Sequence, residues 1–149
     1  MDLSCLLSLI RQVSAYQQIR CELLEWQGKE VKMVATDAVK PFVIAALHKE
    51  LDLPILVIVA QPEGAKRLYD ELQAWCPGSA SVQFFPETDL MAGEYSASDF
   101  ITVAERLRTL SALGLHHNMP LEGRHSPLIV SSALAAIGKT MSREDFVVH

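Results

Sequence analysis

What this chain has little of narrows its function first. It has three cysteines, Cys5, Cys21 and Cys76, an odd number with no C-x-x-C pair. That excludes a disulfide framework and a zinc ribbon, and the three read as thiols of a reducing compartment. No apolar run approaches the roughly 18 residues of a membrane span. The stretch 3–10 also lacks the basic flank and small-residue cleavage site of a signal peptide. The expectation is a cytoplasmic protein without a membrane partner. Basic residues are scarce: 13 Lys and Arg against 18 Asp and Glu give a net charge of −5. A strongly basic nucleic-acid binder is excluded, because neutralising phosphates needs a cationic face.

What is present is a core. Of 149 residues, 50% are hydrophobic and 21% charged, the balance of one globular domain. A chain of this length buries about 68–70% of its unfolded surface, so it needs no metal or disulfide to fold. No internal repeat or low-complexity tract occurs.

The apolar spacing predicts a helical lead-in over 1–28. Asp2 is placed as an N-cap, with Leu3, Leu6, Leu7, Ile10 and Val13 as one stripe, and a second short helix over 18–26 uses Ile19, Leu23 and Trp26. Gly28 interrupts, and an α/β domain follows over 29–149. Strands are expected over 31–36, 55–60, 81–85 and 128–131. The second, Ile55-Leu56-Val57-Ile58-Val59-Ala60, shows no alternation and reads as buried on both faces. Helices are expected over 38–51, 62–75, 98–113 and 133–137. In the third of these, Ile101, Ala104, Leu107 and Leu110 face inward, with Gly114 closing it. Residues 86–97 and 115–126 read as loops. Four alternations of strand and helix imply a three-layer α/β fold with a mostly parallel sheet. The terminal run Asp145-Phe146-Val147-Val148-His149 stops without a polar tail, so a piece of a longer polypeptide is expected.

In an open α/β sheet an anion site is sought where the first strand meets a helix N-terminus. There the sequence reads Val34-Ala35-Thr36-Asp37-Ala38-Val39-Lys40-Pro41, which has the spacing of G-x-x-x-x-G-K-[ST] and keeps its lysine. Val34 and Val39 stand where glycines allow positive φ, a region closed to β-branched residues. Pro41 replaces the hydroxyl that would hold magnesium. Asp37 sets a carboxylate where a γ-phosphate would lie and is expected to bond the helix's free N–H groups itself. The strand ends at Gln61 and Ser132 supply no acidic ligand for magnesium. The turn is a degenerate P-loop, and no cofactor, metal or catalytic residue is expected.

Other candidates carry less. His116, His117 and His125 match no zinc-ligand spacing. Ser131-Ser132 follows a strand but lacks a G-x-S-x-G elbow. Glu87, Asp89 and Glu94 read as a solvated acidic rim. Arg106 and Arg108 read as surface-paired.

Several segments together resemble a family. The strand-turn-helix over 31–51, the strand and helix over 53–76, Phe84-Phe85-Pro86-Glu87-Thr88-Asp89, Ala104-Glu105-Arg106-Leu107 and Leu128-Ile129-Val130-Ser131 resemble the first domain of the bacterial transcription-repair coupling factors, the Mfd family. The resemblance spans roughly 28–146, spread over many positions rather than one sharp motif. It implies a UvrB-like, P-loop motor-related domain that has lost its nucleotide site. Val34, Asp37, Val39 and Pro41 differ from the UvrB pattern, and Lys40 matches it. It also implies a parent that is an ATP-dependent DNA translocase. The partners would be other domains of that parent, UvrA through an adjoining domain, and RNA polymerase and DNA through the rest. UvrB's strand-parting hairpin is aromatic-rich, whereas 86–97 here holds Tyr95 as its sole aromatic, so strand separation is not expected. The alternative is a small-molecule- or nucleotide-binding α/β domain of an unrelated enzyme.

Overall fold

A computed structural model describes residues 2–25, 30–78, 82–88, 97–118, 126–138 and 140. The sequence-based expectations at Trp26, Gly28, Asp89, Glu94, Tyr95, His125 and 141–149 lie outside them. Two helical segments open the chain, a 3-10 helix over Ser4–Gln12 and α1 over Ser14–Leu24. A 3-10 turn over Asp37–Val39 leads into α2, Lys40–Leu51. Then follow β1 (Ile55–Val59), α3 (Pro62–Trp75), β2 (Val82–Phe85), α4 (Ala97–Asn118), β3 (Leu128–Ser132) and α5 (Ala133–Ile137).

The three strands form one wholly parallel sheet in the order β1-β3-β2. Register pairs Leu56 and Gln83 with Ile129, and Ile58 and Phe85 with Ser131. These residues share one face. Ile55, Val57, Val59, Leu128, Val130, Val82 and Phe84 line the other, where they join Val43, Ala45, Ala46, Ala65 and Leu72 in the main core. α2 and α3 cover that face because their apolar residues recur at helical spacing: Ala65, Leu68, Leu72 and Trp75 lie inward, as the sequence predicts. Gly64 lets α3 sit close, since a Cβ there would stand 3.1 Å from Val59 Cγ1. On the opposite face Leu110 and Ala135 pack on Phe85 and Ile129.

The lead-in is fastened by both apolar and ionic contacts. Leu7, Ile10 and Tyr16 are buried in the main core, whereas Leu6 and Val13 of the expected stripe are exposed. Asp2 does act at the first turn, accepting from Ser4 N–H at 2.9 Å. Glu50 of α2 is shielded and meets Arg11 Nε at 2.6 Å and Arg20 Nε at 2.8 Å. Burial is the strongest single influence on this carboxyl and opposes its ionisation. The Arg11 hydrogen bond and charge, joined by Tyr16 and Arg20, outweigh it and hold Glu50 below its ordinary pKa. Tyr16 is pushed up to about 12, chiefly by burial and then by the Glu50 charge.

Four expectations need correction. Residues 31–36 form no strand: they make no ladder, and Val34 is fully exposed. Strand propensity becomes structure only through pairing, and the free edge of β1 is not taken up by this segment. β1 is also not buried on both faces. Leu56 and Ile58 are 56% and 55% exposed, because the described helices leave most of the outer face of this edge strand uncovered. α4 does not close at Gly114 but runs to Asn118, since a helix-interior glycine costs only about 1 kcal/mol and this one crowds nothing. Of its expected inward face only Leu110 packs on the core. Ile101 and Leu107 are exposed, and Arg106 and Thr109 are buried in their place. Their polar ends reach carbonyls of and next to β2: Arg106 Nη1 donates to Pro86 O at 2.7 Å, and Thr109 Oγ1 to Phe84 O at 3.1 Å.

Candidate functional site

The turn at 36–40 is a 3-10 turn running into a helix. Val39 N–H donates to Thr36 O at 3.0 Å, and Lys40 N–H donates to Asp37 O. Two amides that a phosphate cradle would aim outward are thus spent inside the turn. Val39 has φ −92° and Lys40 φ −54°, so the chain here has none of the positive φ that lets backbone close around an anion. Pro41 is buried at the start of α2, where its missing N–H is harmless.

Asp37 corrects one expectation. Its side chain makes no cap to the helix N–H groups. It accepts from Lys40 Nζ at 2.6 Å instead. That hydrogen bond, then the Lys40 charge, holds the Asp37 carboxyl below its ordinary pKa, with Arg67 of α3 adding a smaller pull. The one lysine retained from the P-loop spacing is therefore neutralised by a neighbour three residues away. Both groups are largely exposed, so the pair governs local charge rather than stability. Val34 stands apart from the turn, fully exposed.

The second cluster lies where β3 enters α5. Ser132 caps α5 by accepting from Ala135 N–H at 3.1 Å, and its hydroxyl donates to Glu87 Oε1 at 2.5 Å. Ser131 Oγ donates to Phe85 O at 3.2 Å. Arg106 lies 3.9 Å over the Phe85 ring with its pKa lowered by burial. Glu87, expected on a solvated rim, thus reaches into a polar cluster, and Arg106, expected to pair on the surface, is a buried strut. Sequence reasoning passed over both, because neither Pro86-Glu87 nor Ala104-Glu105-Arg106-Leu107 has a spacing that signals a partner more than 15 residues away. Ser131 and Ser132 are buried and engaged, with no histidine beside them among the described residues. Their hydrogen bonds cap α5 and brace β2.

A groove of about 800 Å³ opens between α3 and the end of β2, floored by Phe84, Pro62 and Pro86. Lys66 crosses it, 4.7 Å from the Tyr69 ring centroid and 3.1 Å from Asp70 Oδ1. Arg67 faces Glu71 at 3.9 Å. Each cation of the groove already has its carboxylate. His116 and His117 fall within α4, and no group of three or more His, Cys, Asp or Glu able to hold a metal occurs among the described residues. Nor, among these residues, is any helix long and apolar enough to cross a membrane.

Fold and site together define a small parallel α/β domain with helices on both faces and, at 36–40, a turn whose amides and lysine are bonded within it. No family model matches the chain, and no solved structure does. The sequence is similar to the UvrABC system protein B of Mycoplasma pneumoniae (strain ATCC 29342 / M129 / Subtype 1). The two are 33% identical over 137 residues, covering 86% of this chain and 20% of that protein. That similarity extends over most of this chain, which spans about a fifth of the curated relative it matches.

Proposed function

We propose that this chain is the UvrB-like first domain of a transcription-repair coupling factor, serving nucleotide excision repair as a scaffold without nucleotide chemistry of its own. The closed turn at 36–40 carries the reading. Its amides bond within the turn, its lysine is paired to Asp37 at 2.6 Å, and Pro41 offers no magnesium ligand. The likeness to a UvrABC system protein supports the repair role. The segments over 84–89 and 104–107 support the coupling-factor assignment. On this reading the parent is an ATP-dependent DNA translocase whose motor lies elsewhere in the polypeptide. This domain presents an adjoining domain to UvrA, while RNA polymerase and DNA are engaged by other parts. With a charge of −5, DNA is not this domain's own ligand. For a small-molecule-binding role the Phe84 groove offers cations that are already paired.

Two assays test the reading. Steady-state phosphate release from ATP, with and without duplex DNA, is expected at the buffer rate; turnover lost in Lys40→Ala would overturn the scaffold assignment. Immobilised UvrA is expected to show no saturable binding of these 149 residues. Saturable binding would place the UvrA contact on this domain rather than its neighbour.

A further inference from the structure

The groove between α3 and the end of β2 has aromatic rings in its floor and surplus acid on its rim. Tyr69 and Phe84 lie with ring centroids 5.3 Å apart and planes tilted by 36°. The Lys66 ammonium hangs over both, 4.7 Å from the Tyr69 centroid and 5.4 Å from that of Phe84. The ring pair is thus placed to take a cation and already holds the chain's own. Lys66 is half-exposed, and its carboxylate partner Asp70 lies one turn along the same helix. A solvated pair of that kind is easily given up.

Four carboxylates border the groove, those of Glu63, Asp70, Glu71 and Glu87, against the two cations Lys66 and Arg67. Asp70 and Glu71 answer those cations. Glu63, in the first turn of α3, meets no cation at ion-pair distance among the described residues. Glu87 takes a neutral donor, the Ser132 hydroxyl. The surplus of negative charge repels a phosphate-bearing occupant and attracts a cationic one. The length suits a chain. From Pro62 to Glu71 the α3 wall runs about 14 Å, the reach of about four extended residues.

We propose that this groove docks a peptide segment of a partner protein that carries arginine at alternate positions. One guanidinium replaces the Lys66 ammonium over Tyr69 and Phe84 and pairs with Asp70, while Lys66 moves aside into solvent. The next arginine, on the same face of the extended segment, meets Glu63. Arginine fits this floor better than lysine, because its planar guanidinium stacks on a ring while its fork of donors holds a carboxylate.

Fluorescence anisotropy of a labelled octapeptide of alternating glycine and arginine tests this, with the lysine and glutamate counterparts as controls. Saturable binding of the arginine peptide to the unaltered chain is expected, weakening as salt rises, with the lysine peptide weaker and the glutamate peptide silent. Lys66→Ala is expected to tighten binding about threefold by removing the resident cation from the rings. Glu63→Gln is expected to weaken it about fivefold, and the remote Glu22→Gln less than about twofold, as suits exposed charges. All three residues are exposed, so the variants keep the fold. No saturable binding by the unaltered chain or by Lys66→Ala would overturn the proposal, as would weaker binding by Lys66→Ala. Equal losses in Glu63→Gln and Glu22→Gln, or equal affinity for the arginine and lysine peptides, would also overturn it. So would binding of a labelled oligodeoxythymidine that is lost in Lys66→Ala, since the groove would then serve an anion.

Discussion

Two turns in this domain lead into a helix, and they resolve the same electrostatic problem in opposite ways. At 131–133 a strand feeds the helix directly. Ser132 caps the Ala135 N–H and also holds Glu87, and Arg106 braces the neighbouring strand from within the core. At 36–40 no ladder feeds the helix. The amides close on Thr36 and Asp37, and Lys40 pairs with Asp37 in solvent. The buried turn holds structure together, and the exposed one pairs the Lys40 charge with Asp37. A residue pattern with the spacing of a phosphate site thus says little until the fate of each amide and each charge is known.

The contrast is broken most severely at the buried turn. Ser132→Ala removes a helix cap, worth about 1 kcal/mol, and leaves a part-buried Glu87 oxygen without its donor, costing about 1–3 kcal/mol more. Denaturant unfolding should therefore show a loss of about 2–4 kcal/mol by these two principles. Next comes Asp52, which closes α2 in the left-handed region at φ 47°, a conformation that glycine adopts without strain. Asp52→Gly should raise stability by up to about 1 kcal/mol. At the exposed turn, Asp37→Ala and Lys40→Ala should leave the urea midpoint unchanged, because a solvated ion pair contributes little. A large loss from either would mean that the turn is structural after all.

The lead-in supplies a pH test with both signs. Glu50 has a lowered folded pKa, so its contribution is present above its ordinary value of 4.5 and fades as pH falls through the lower folded value. Tyr16 has a raised one. Its contribution is complete below 10 and is lost as pH rises toward about 12. Near-ultraviolet difference spectra of Tyr16, followed with unfolding midpoints from pH 3 to 12, should show a plateau between two declines. Glu50→Gln should abolish the acid decline that belongs to this carboxyl.

Much of the fold was legible because periodicity follows burial. The spans of α3 and α5 match their apolar spacing and capping residues, and β2 and β3 fall within a residue of expectation. The failures share a cause. Residues 31–36 have strand composition, but a strand exists only with a neighbour. β1 looked doubly buried because apolar residues on an uncovered face read the same as apolar residues in a core. In α4 Arg106 and Thr109 turn inward beside Leu110, drawn by the carbonyls of β2 and its end rather than by hydropathy. At the turn, the absence of a glycine and of a magnesium-binding hydroxyl was visible in Val39 and Pro41. The pairing of Asp37 with Lys40, in preference to a cap, was not, since both outcomes use the same residue at the same spacing.

The central claim, that the turn at 36–40 has no nucleotide function, is tested most directly by calorimetric titration of the chain with ATP and magnesium, with Lys40→Ala alongside. The account predicts no saturable heat for either protein up to millimolar ATP. Micromolar binding by the unaltered chain, abolished in Lys40→Ala, would contradict it and make this a nucleotide-binding domain.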